Sequence, residues 1–278
     1  MNYKSILNLL GILLVIFSLS FIPPLMLSVF YDEPLNGIFL YSFLFLITLG
    51  CLMWFTSRQK DLPLNISDGF IITTMFWVVL AFAGSIPFYF FGLNASDAIF
   101  ESVSGITTTG ATVIVGLDEL PKSLLLYRQL LQWIGGMGLI ILAVAVMPTL
   151  GIGGGQLYKM ELPGSHGNQK LTPKITDSAK ALWKIYFGLT IICALLYLLS
   201  GMNLFDAIAH SLSTVAGGGF STHDDSIGFF DSGLIETVCI IFMLLSAASF
   251  AVHYAAIFGG KPLKYFYDSE FRFFLSVV

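Results

Sequence analysis

The chain has 278 residues, of which 56% are hydrophobic and 11% are charged, and its formal net charge is −4. A soluble globular domain carries about 25% charged residues, so this chain has too few polar residues to cover a water-facing surface of its size. The small net charge does not indicate a nucleic-acid partner, and the scattered cysteines Cys51, Cys193 and Cys239 predict no disulfide framework. The composition therefore excludes an ordinary soluble domain and predicts an all-α membrane protein.

Several apolar runs are long enough to cross a bilayer as helices, which takes about 20 residues. In chain order they are Ile6–Phe30, Gly37–Phe55, Phe70–Phe91, Leu124–Met147, Leu182–Ser200 and Leu234–Phe258. Pro23 and Pro24 are expected to kink or end the first run. A further run begins at Phe271 and reaches only Val278, so the chain is expected to stop inside another helix.

Two shorter apolar stretches, Asp97–Thr107 and Asp206–Val215, lie between these runs. Each would form a helix of roughly 15 Å, which reaches only about halfway across the hydrocarbon and is typical of a re-entrant segment. Asp97 and Asp206 would lie in the first turn, where we expect them to cap the helix and not to bind an ion.

The basic residues predict the orientation of the chain. If both short stretches dip into the membrane and return, every Lys and Arg except Lys122 and Arg128 lies on one side. Positive charge favours the cytoplasmic side. The N-terminus is therefore expected in the cytoplasm.

The short stretches belong to an internal repeat. Residues 92–112 read GLNASDAIFESVSGITTTGAT and residues 201–221 read GMNLFDAIAHSLSTVAGGGFS, a constant offset of 109. Both copies keep the same orientation, and parallel repeats surround an axis along the membrane normal. The pattern predicts repeated span–pore helix–span units around a pore.

A loop follows each short stretch. Non-helical backbone at membrane depth is tolerated where it is buried or lines a water-filled path, and its carbonyl oxygens can replace the hydration shell of a hard cation. The candidate ion-binding residues are Thr108, Thr109, Gly110, Ala111 and Thr112 in the first loop and Gly217, Gly218, Gly219, Phe220 and Ser221 in the second. No structural metal, organic cofactor or catalytic residue is predicted, and the glycines at 151–155 lack the Lys of a P-loop.

Other polar residues leave alternatives open. His223 with Asp224 and Asp225 could bind a cation weakly, although a solvated acidic loop is favoured. Glu101 and His210 occupy equivalent repeat positions, where a role in conduction and simple polar packing are equally expected.

Five motifs carry a resemblance to a known family. They are SGITTTGATV (Ser104–Val113), LQWIGGMG (Leu131–Gly138), KLTPKITDSAKALWKIY (Lys170–Tyr186), FDAIAHSLSTVAGGGFSTHD (Phe205–Asp224) and DSEFRFFL (Asp268–Leu275). The chain resembles the Trk/Ktr/HKT potassium transporter superfamily, and most closely its TrkH-type membrane subunit. The resemblance implies potassium uptake across the bacterial cytoplasmic (inner) membrane, with the ten loop residues as a selectivity filter for potassium. It also implies homodimers and a cytosolic, nucleotide-binding, TrkA-like ring subunit.

The family fold has two extra helices and then four units around one pore. The expected domains are the extra helices at 1–60, a first unit at 61–160, a second at 161–260 and the truncated start of a third at 261–278. With two of four units, the chain is expected to be partial; a natural half that pairs with a second copy is the alternative. Channel-like transport and symport with protons or sodium both stay open.

Three other functions are weighed against potassium uptake. A non-transporting fragment or assembly subunit would explain the partial pore. A less selective potassium/sodium permease is suggested by Gly217, where the family usually has Thr. A membrane enzyme is not favoured, because no nucleophile–base pair is evident.

The basic stretch Lys159–Lys184 suits either a docking partner or anionic membrane lipid.

Overall fold

The computed structural model describes residues 3–58, 66–146, 175–248, 250–257, 259–260 and 263–277. Every regular element in these ranges is helical, which confirms the predicted fold class. The α-helices are α1 Tyr3–Ser18, α2 Ile22–Phe30, α3 Asn36–Thr56, α4 Ile66–Phe91, α5 Ala95–Ile106, α6 Lys122–Val146, α7 Ile175–Leu199, α8 Leu204–Ala216, α9 Gly233–Ala247, α10 Phe250–Ile257, α11 Lys264–Tyr267 and α12 Ser269–Val277. The glycines at 151–155 and the basic residues 159–174 lie outside the described residues.

Four segments of the described chain are long and apolar enough to cross a membrane. They are Tyr3–Phe30, Asn36–Thr56, Asp68–Phe91 and Lys180–Leu199. Each coincides with a predicted run, and the run predicted from Leu124 is the helix α6. Continuous apolar sequence of this length can bury its backbone polar groups in a bilayer only as helix, which is why these predictions hold.

The first predicted span is interrupted where the prolines lead us to expect it. The α-helix stops at Ser18, a 3₁₀ turn covers Leu19–Phe21, and α2 begins with proline in its first turn. Proline has no N–H and its ring collides with the carbonyl one turn earlier, so it is tolerated best in the first turn of a helix.

The predicted continuous span from Leu234 to Phe258 is wrong in one respect. Helix α9 ends at Ala247, and Ala248 has the extended angles φ −69° and ψ 144° before α10 begins. The Leu245 carbonyl accepts a hydrogen bond from the Ala248 N–H at 3.1 Å and another from His253 Nε2 at 2.8 Å. The break is stable because a side chain replaces the lost helical bond.

Small residues bring the long helices together. A Cβ on Gly11 would lie 2.8 Å from the Gly50 carbonyl oxygen, so α1 and α3 touch backbone to backbone. A Cβ on Gly135 would lie 2.0 Å from the Ile106 carbonyl oxygen. Helix α6 thereby reaches the end of α5, and it also packs against α8. The short helices are held between the long ones.

Candidate functional site

The two short helices, α5 and α8, begin with the same capping pair. The side-chain oxygens of Asn94 and Asn203 accept hydrogen bonds from the backbone N–H groups of Asp97 and Asp206, each at 2.9 Å. Each Asn amide donates in return to the Asp carboxylate at 2.6 Å. The N-cap residue is therefore the Asn, and the Asp in the first turn supports it by accepting a hydrogen bond from its side-chain amide.

The chain leaves both short helices by the same route. We call residues 108–112 the first loop and residues 217–221 the second loop. The equivalent hydrogen bonds are Thr108 N to Gly105 O at 3.0 Å and Thr109 N to Ser104 O at 2.9 Å, and Gly217 N to Thr214 O at 3.1 Å and Gly218 N to Ser213 O at 3.0 Å. The sequence repeat is thus a repeat of backbone structure.

The two loops also share unusual backbone angles. Thr108 and Gly110 have positive φ values of 54° and 78°, and the equivalent Gly217 and Gly219 have 67° and 84°. A side chain disfavours this region. Thr108 adopts it nonetheless, so the first loop is held in this shape by its surroundings.

The loops meet backbone to backbone. A Cβ on Gly110 would lie 1.9 Å from the Gly218 carbonyl oxygen, so any side chain there would force the two loops apart. A Cβ on Gly219 would have no atom within 4 Å. Gly110 therefore belongs to the contact between the loops, whereas Gly219 borders open space.

Two further residues of the first loop are engaged locally. The hydroxyls of Thr109 and Thr107 lie 2.8 Å apart. The Ala111 carbonyl accepts a hydrogen bond from Ser104 Oγ at 2.5 Å. Short polar side chains at the end of α5 thus hold the loop that follows.

The hydroxyl of Thr112 is fully committed to protein partners. It donates to the Glu101 carboxylate, with distances of 3.0 and 2.9 Å to the two oxygens, and accepts from the Ile114 N–H at 3.1 Å. Glu101 also accepts from the Val113 N–H at 3.3 Å. Thr112 is therefore part of the support of the loop, and its hydroxyl is engaged by protein partners.

Arg128 of α6 contacts both loops at once. Its Nε donates to Glu101 Oε1 at 2.7 Å, and both side chains are 0% exposed. Its Nη2 donates to Thr112 Oγ1 at 3.1 Å and its Nη1 to the Ser221 carbonyl at 3.0 Å. The guanidinium also lies 4.3 Å from the centre of the Phe220 ring. One side chain therefore joins α5, the first loop and the second loop.

Gln132 lies one helical turn beyond Arg128 and holds the second loop independently. Its Oε1 accepts from Ser213 Oγ at 2.8 Å and from the Phe220 N–H at 3.0 Å. Neither Arg128 nor Gln132 is among the candidate ion-binding residues predicted from the sequence. The sequence does contain a signal for both residues, because ionisable and amide side chains inside an apolar run mark functional positions in membrane proteins.

The segments beyond the two loops are tied together by carboxylates. Asp224 accepts hydrogen bonds from the backbone N–H groups of Gly116 and Leu117, both at 3.1 Å. The carboxylate therefore joins the chain after the second loop to the chain after the first.

His223 completes this connection. Its Nδ1 bonds Asp118, its Nε2 lies 3.2 Å from Asp206 Oδ2, and its ring stacks on Phe229 at 3.5 Å. The hydrogen bond from His223 holds the pKa of the Asp118 carboxyl below its ordinary value. A histidine with carboxylates at both nitrogens acts as a link between elements.

The weak cation site considered for His223, Asp224 and Asp225 receives no support. In the described ranges no group of three or more His, Cys, Asp or Glu residues could hold a metal ion. The paired positions Glu101 and His210 both make polar contacts within the protein. The first bonds Arg128, and His210 is 2% exposed with its Nε2 3.0 Å from Thr222 Oγ1.

A cavity of about 350 Å³ adjoins the second loop. Its lining includes His210, Thr214, Gly217, Gly219 and Met243. The glycines thus present backbone to an open volume next to the contact between the loops.

These observations define a class: an all-helical membrane protein in which a repeated short helix and loop lie between membrane-crossing helices. The sequence model of the TrkH family, described as cation transport protein, matches residues 37–277. The chain belongs to the TrkH family.

Relatives with a known name support the same family assignment. The chain is 49% identical over 282 residues to the Trk system potassium uptake protein TrkH of Vibrio parahaemolyticus and 45% identical over 280 residues to that of Escherichia coli K12. Each alignment covers 100% of this chain and 58% of the relative. The crystal structure of the potassium transporter TrkH from Vibrio parahaemolyticus matches with a TM-score of 0.85 and 47% identity, over 99% of this chain and 56% of that one. The chain therefore spans little more than half the length of these relatives, which are named as transporters and not as enzymes.

Proposed function

We propose that the protein carrying this chain takes up potassium across the bacterial cytoplasmic membrane and that the two loops form part of its ion path. One observation carries the proposal: loops of the same backbone course meet at Gly110 and Gly218 in a chain of a cation transport family. The relatives named above, which are potassium uptake proteins, support the choice of ion.

The electrostatics suit a dehydrated cation. Both short helices end at a loop, and a helix C-terminus carries partial negative charge. Backbone carbonyl oxygens are suitable ligands for potassium. The positive charge of Arg128 is balanced by Glu101 at 2.7 Å, so the arginine does not leave an uncompensated repulsive charge beside the path. In this scheme residues 108–112 and 217–221 present backbone oxygens, and potassium is the cargo.

The wider arrangement is part of the same proposal. Residues 1–60 supply two additional membrane spans, 61–160 and 161–260 are two units around the pore, and 261–278 begin a third. The distribution of Lys and Arg favours a cytoplasmic N-terminus. Homodimers, a TrkA-like ring subunit and membrane lipid are the proposed partners, and the mechanism is either channel-like or a symport.

Uptake by the full-length protein tests this function. Cells without their own potassium importers should grow at low potassium when they produce it. Gly219→Ser should reduce uptake, because the substitution adds a side chain facing the open volume. Gly188→Ser is the matched control, since Gly188 lies in α7 and a Cβ there has no atom within 4 Å. Absence of growth with the unmodified protein would contradict the proposal.

A less selective permease is the second candidate. Gly217 has no hydroxyl, whereas the equivalent Thr108 has one. Inhibition of rubidium uptake by sodium distinguishes the two candidates. Weak inhibition supports a potassium-selective path. Strong inhibition at sodium concentrations similar to that of rubidium supports the less selective permease.

A further inference from the structure

We propose that Arg128 is the positioning residue that sets the distance between the two loops, and thereby the preference among monovalent cations. The inference rests on the proposed function, because it assumes that the loops form the ion path. It adds a residue outside both loops on which selectivity depends.

The guanidinium of Arg128 connects three separate acceptors. Three different nitrogens are used in three directions: Nε to Glu101, Nη2 to Thr112 and Nη1 to the Ser221 carbonyl. The last bond joins residues 93 positions apart in the chain. A displacement of either loop would therefore stretch a charge-assisted hydrogen bond.

Glu101, the charged partner of Arg128, is also engaged by other protein donors. Glu101 Oε1 accepts from Arg128 Nε, its Oε2 accepts from the Val113 N–H, and the single hydroxyl hydrogen of Thr112 is shared between the two oxygens. Three protein donors therefore engage the carboxylate. Because the pair is fully buried, its charges are retained only through these bonds. Its role is to hold geometry.

Positive charge at position 128 does not by itself reproduce these contacts. Lysine keeps the charge but concentrates its donors on one nitrogen, whereas the planar fork of arginine reaches separate acceptors. Lysine at position 128 could bond Glu101 yet could not span Thr112 and Ser221 in the same way. Gln132 still holds the second loop through Phe220, so the loop remains attached to α6 in such a variant.

Two variants test the inference in the full-length protein. Arg128→Lys keeps the charge and removes the span between loops. Thr112→Val removes the hydroxyl that joins Arg128 to the first loop and leaves the ion pair with Glu101 in place. Tyr127→Phe is the control, because Tyr127 is on the same helix, is 0% exposed and donates to the Gly84 carbonyl at 2.8 Å, away from the loops.

The measurements separate selectivity from folding. In cells, rubidium uptake is measured against sodium competition. With purified protein, thermal unfolding is compared in potassium and in sodium chloride, since the preferred ion stabilises the protein that binds it. We expect both test variants to lose about tenfold in potassium-over-sodium preference, the effect of one charge-assisted hydrogen bond. Tyr127→Phe should be less stable with an unchanged preference.

The outcomes distinguish failure of the Arg128 inference from failure of the proposed function. Unchanged preference in Arg128→Lys or Thr112→Val would overturn the role of Arg128. Restored preference in the double variant Glu101→Gln with Arg128→Met would do the same, because only neutrality and not the span would then matter. If the unmodified protein is stabilised by potassium but does not transport it, the proposed function fails while the ion preference still tests Arg128. If it neither binds nor transports potassium, both proposals fail.

Discussion

The Gly218 carbonyl oxygen occupies the place where a side chain on Gly110 would begin, 1.9 Å from an ideal Cβ. The equivalent position in the other repeat, Gly219, has open space instead. The two glycines have nearly the same φ, 78° and 84°. Comparing substitutions at Gly110 and Gly219 therefore separates the effect of backbone strain from the effect of contact between the loops.

Alanine at these two positions should have unequal consequences. Gly219→Ala should lose about 1–2 kcal/mol through the positive φ alone. Gly110→Ala should lose about 1–3 kcal/mol more, because the new methyl group forces the loops apart. Thermal unfolding of the purified protein measures the difference, with Gly188→Ala as the control. Equal losses would show that the loops do not touch at Gly110.

Gly217→Thr tests the equivalence of the repeats. Thr108 tolerates a φ of 54° and Gly217 has 67°, while the nearest atom to a Cβ at 217 is Ser246 Oγ at 4.0 Å. We expect a folded protein that is about 1–2 kcal/mol less stable and has a higher preference for potassium over sodium, because a hydroxyl is restored. Thr108→Gly should change both quantities in the opposite direction. A lower preference in Gly217→Thr would contradict this.

The two capping carboxylates should differ in importance. Asp206 is 3% exposed and accepts from Thr222 Oγ1 at 2.7 Å as well as from its capping Asn. Asp97 is half-buried, and its carboxylate bonds only Asn94 among the contacts found. Asp206→Asn should therefore cost about 1–3 kcal/mol of unfolding free energy and Asp97→Asn less than about 1 kcal/mol. A larger loss in Asp97→Asn would be inconsistent with this ranking.

Asp118→Asn should make stability less sensitive to acid. The hydrogen bond from His223 lowers the pKa of Asp118 from 3.8. A carboxyl whose pKa is lowered on folding contributes stability above its unfolded pKa and loses it as pH falls through the folded pKa. The variant should thus be less stable than the parent at neutral pH and equal to it in strong acid. Unfolding temperature against pH measures this, with Asp225→Asn as the control; a constant difference at all pH values would contradict it.

Length and local pattern predict much of the fold. The run Gly37–Phe55 is found as α3 at Asn36–Thr56, because an apolar run of bilayer length has few alternatives to helix. The repeat likewise predicts both short helices. The link through Arg128 could not be derived in this way, because it joins residues 93 positions apart. The break at Ala248 depends on His253, which substitutes for a helical bond only in the folded chain.

The position of Arg128 and Gln132 also bears on how the protein is made. Both belong to the helix that closes the first repeat, yet they hold the loop of the second. A chain emerging from the ribosome presents this helix before the second loop that it binds. Arg128 and Gln132 are therefore synthesised before the loop that they hold. The repeats are therefore not interchangeable modules, and exchanging their order would separate the second loop from the helix that shapes it.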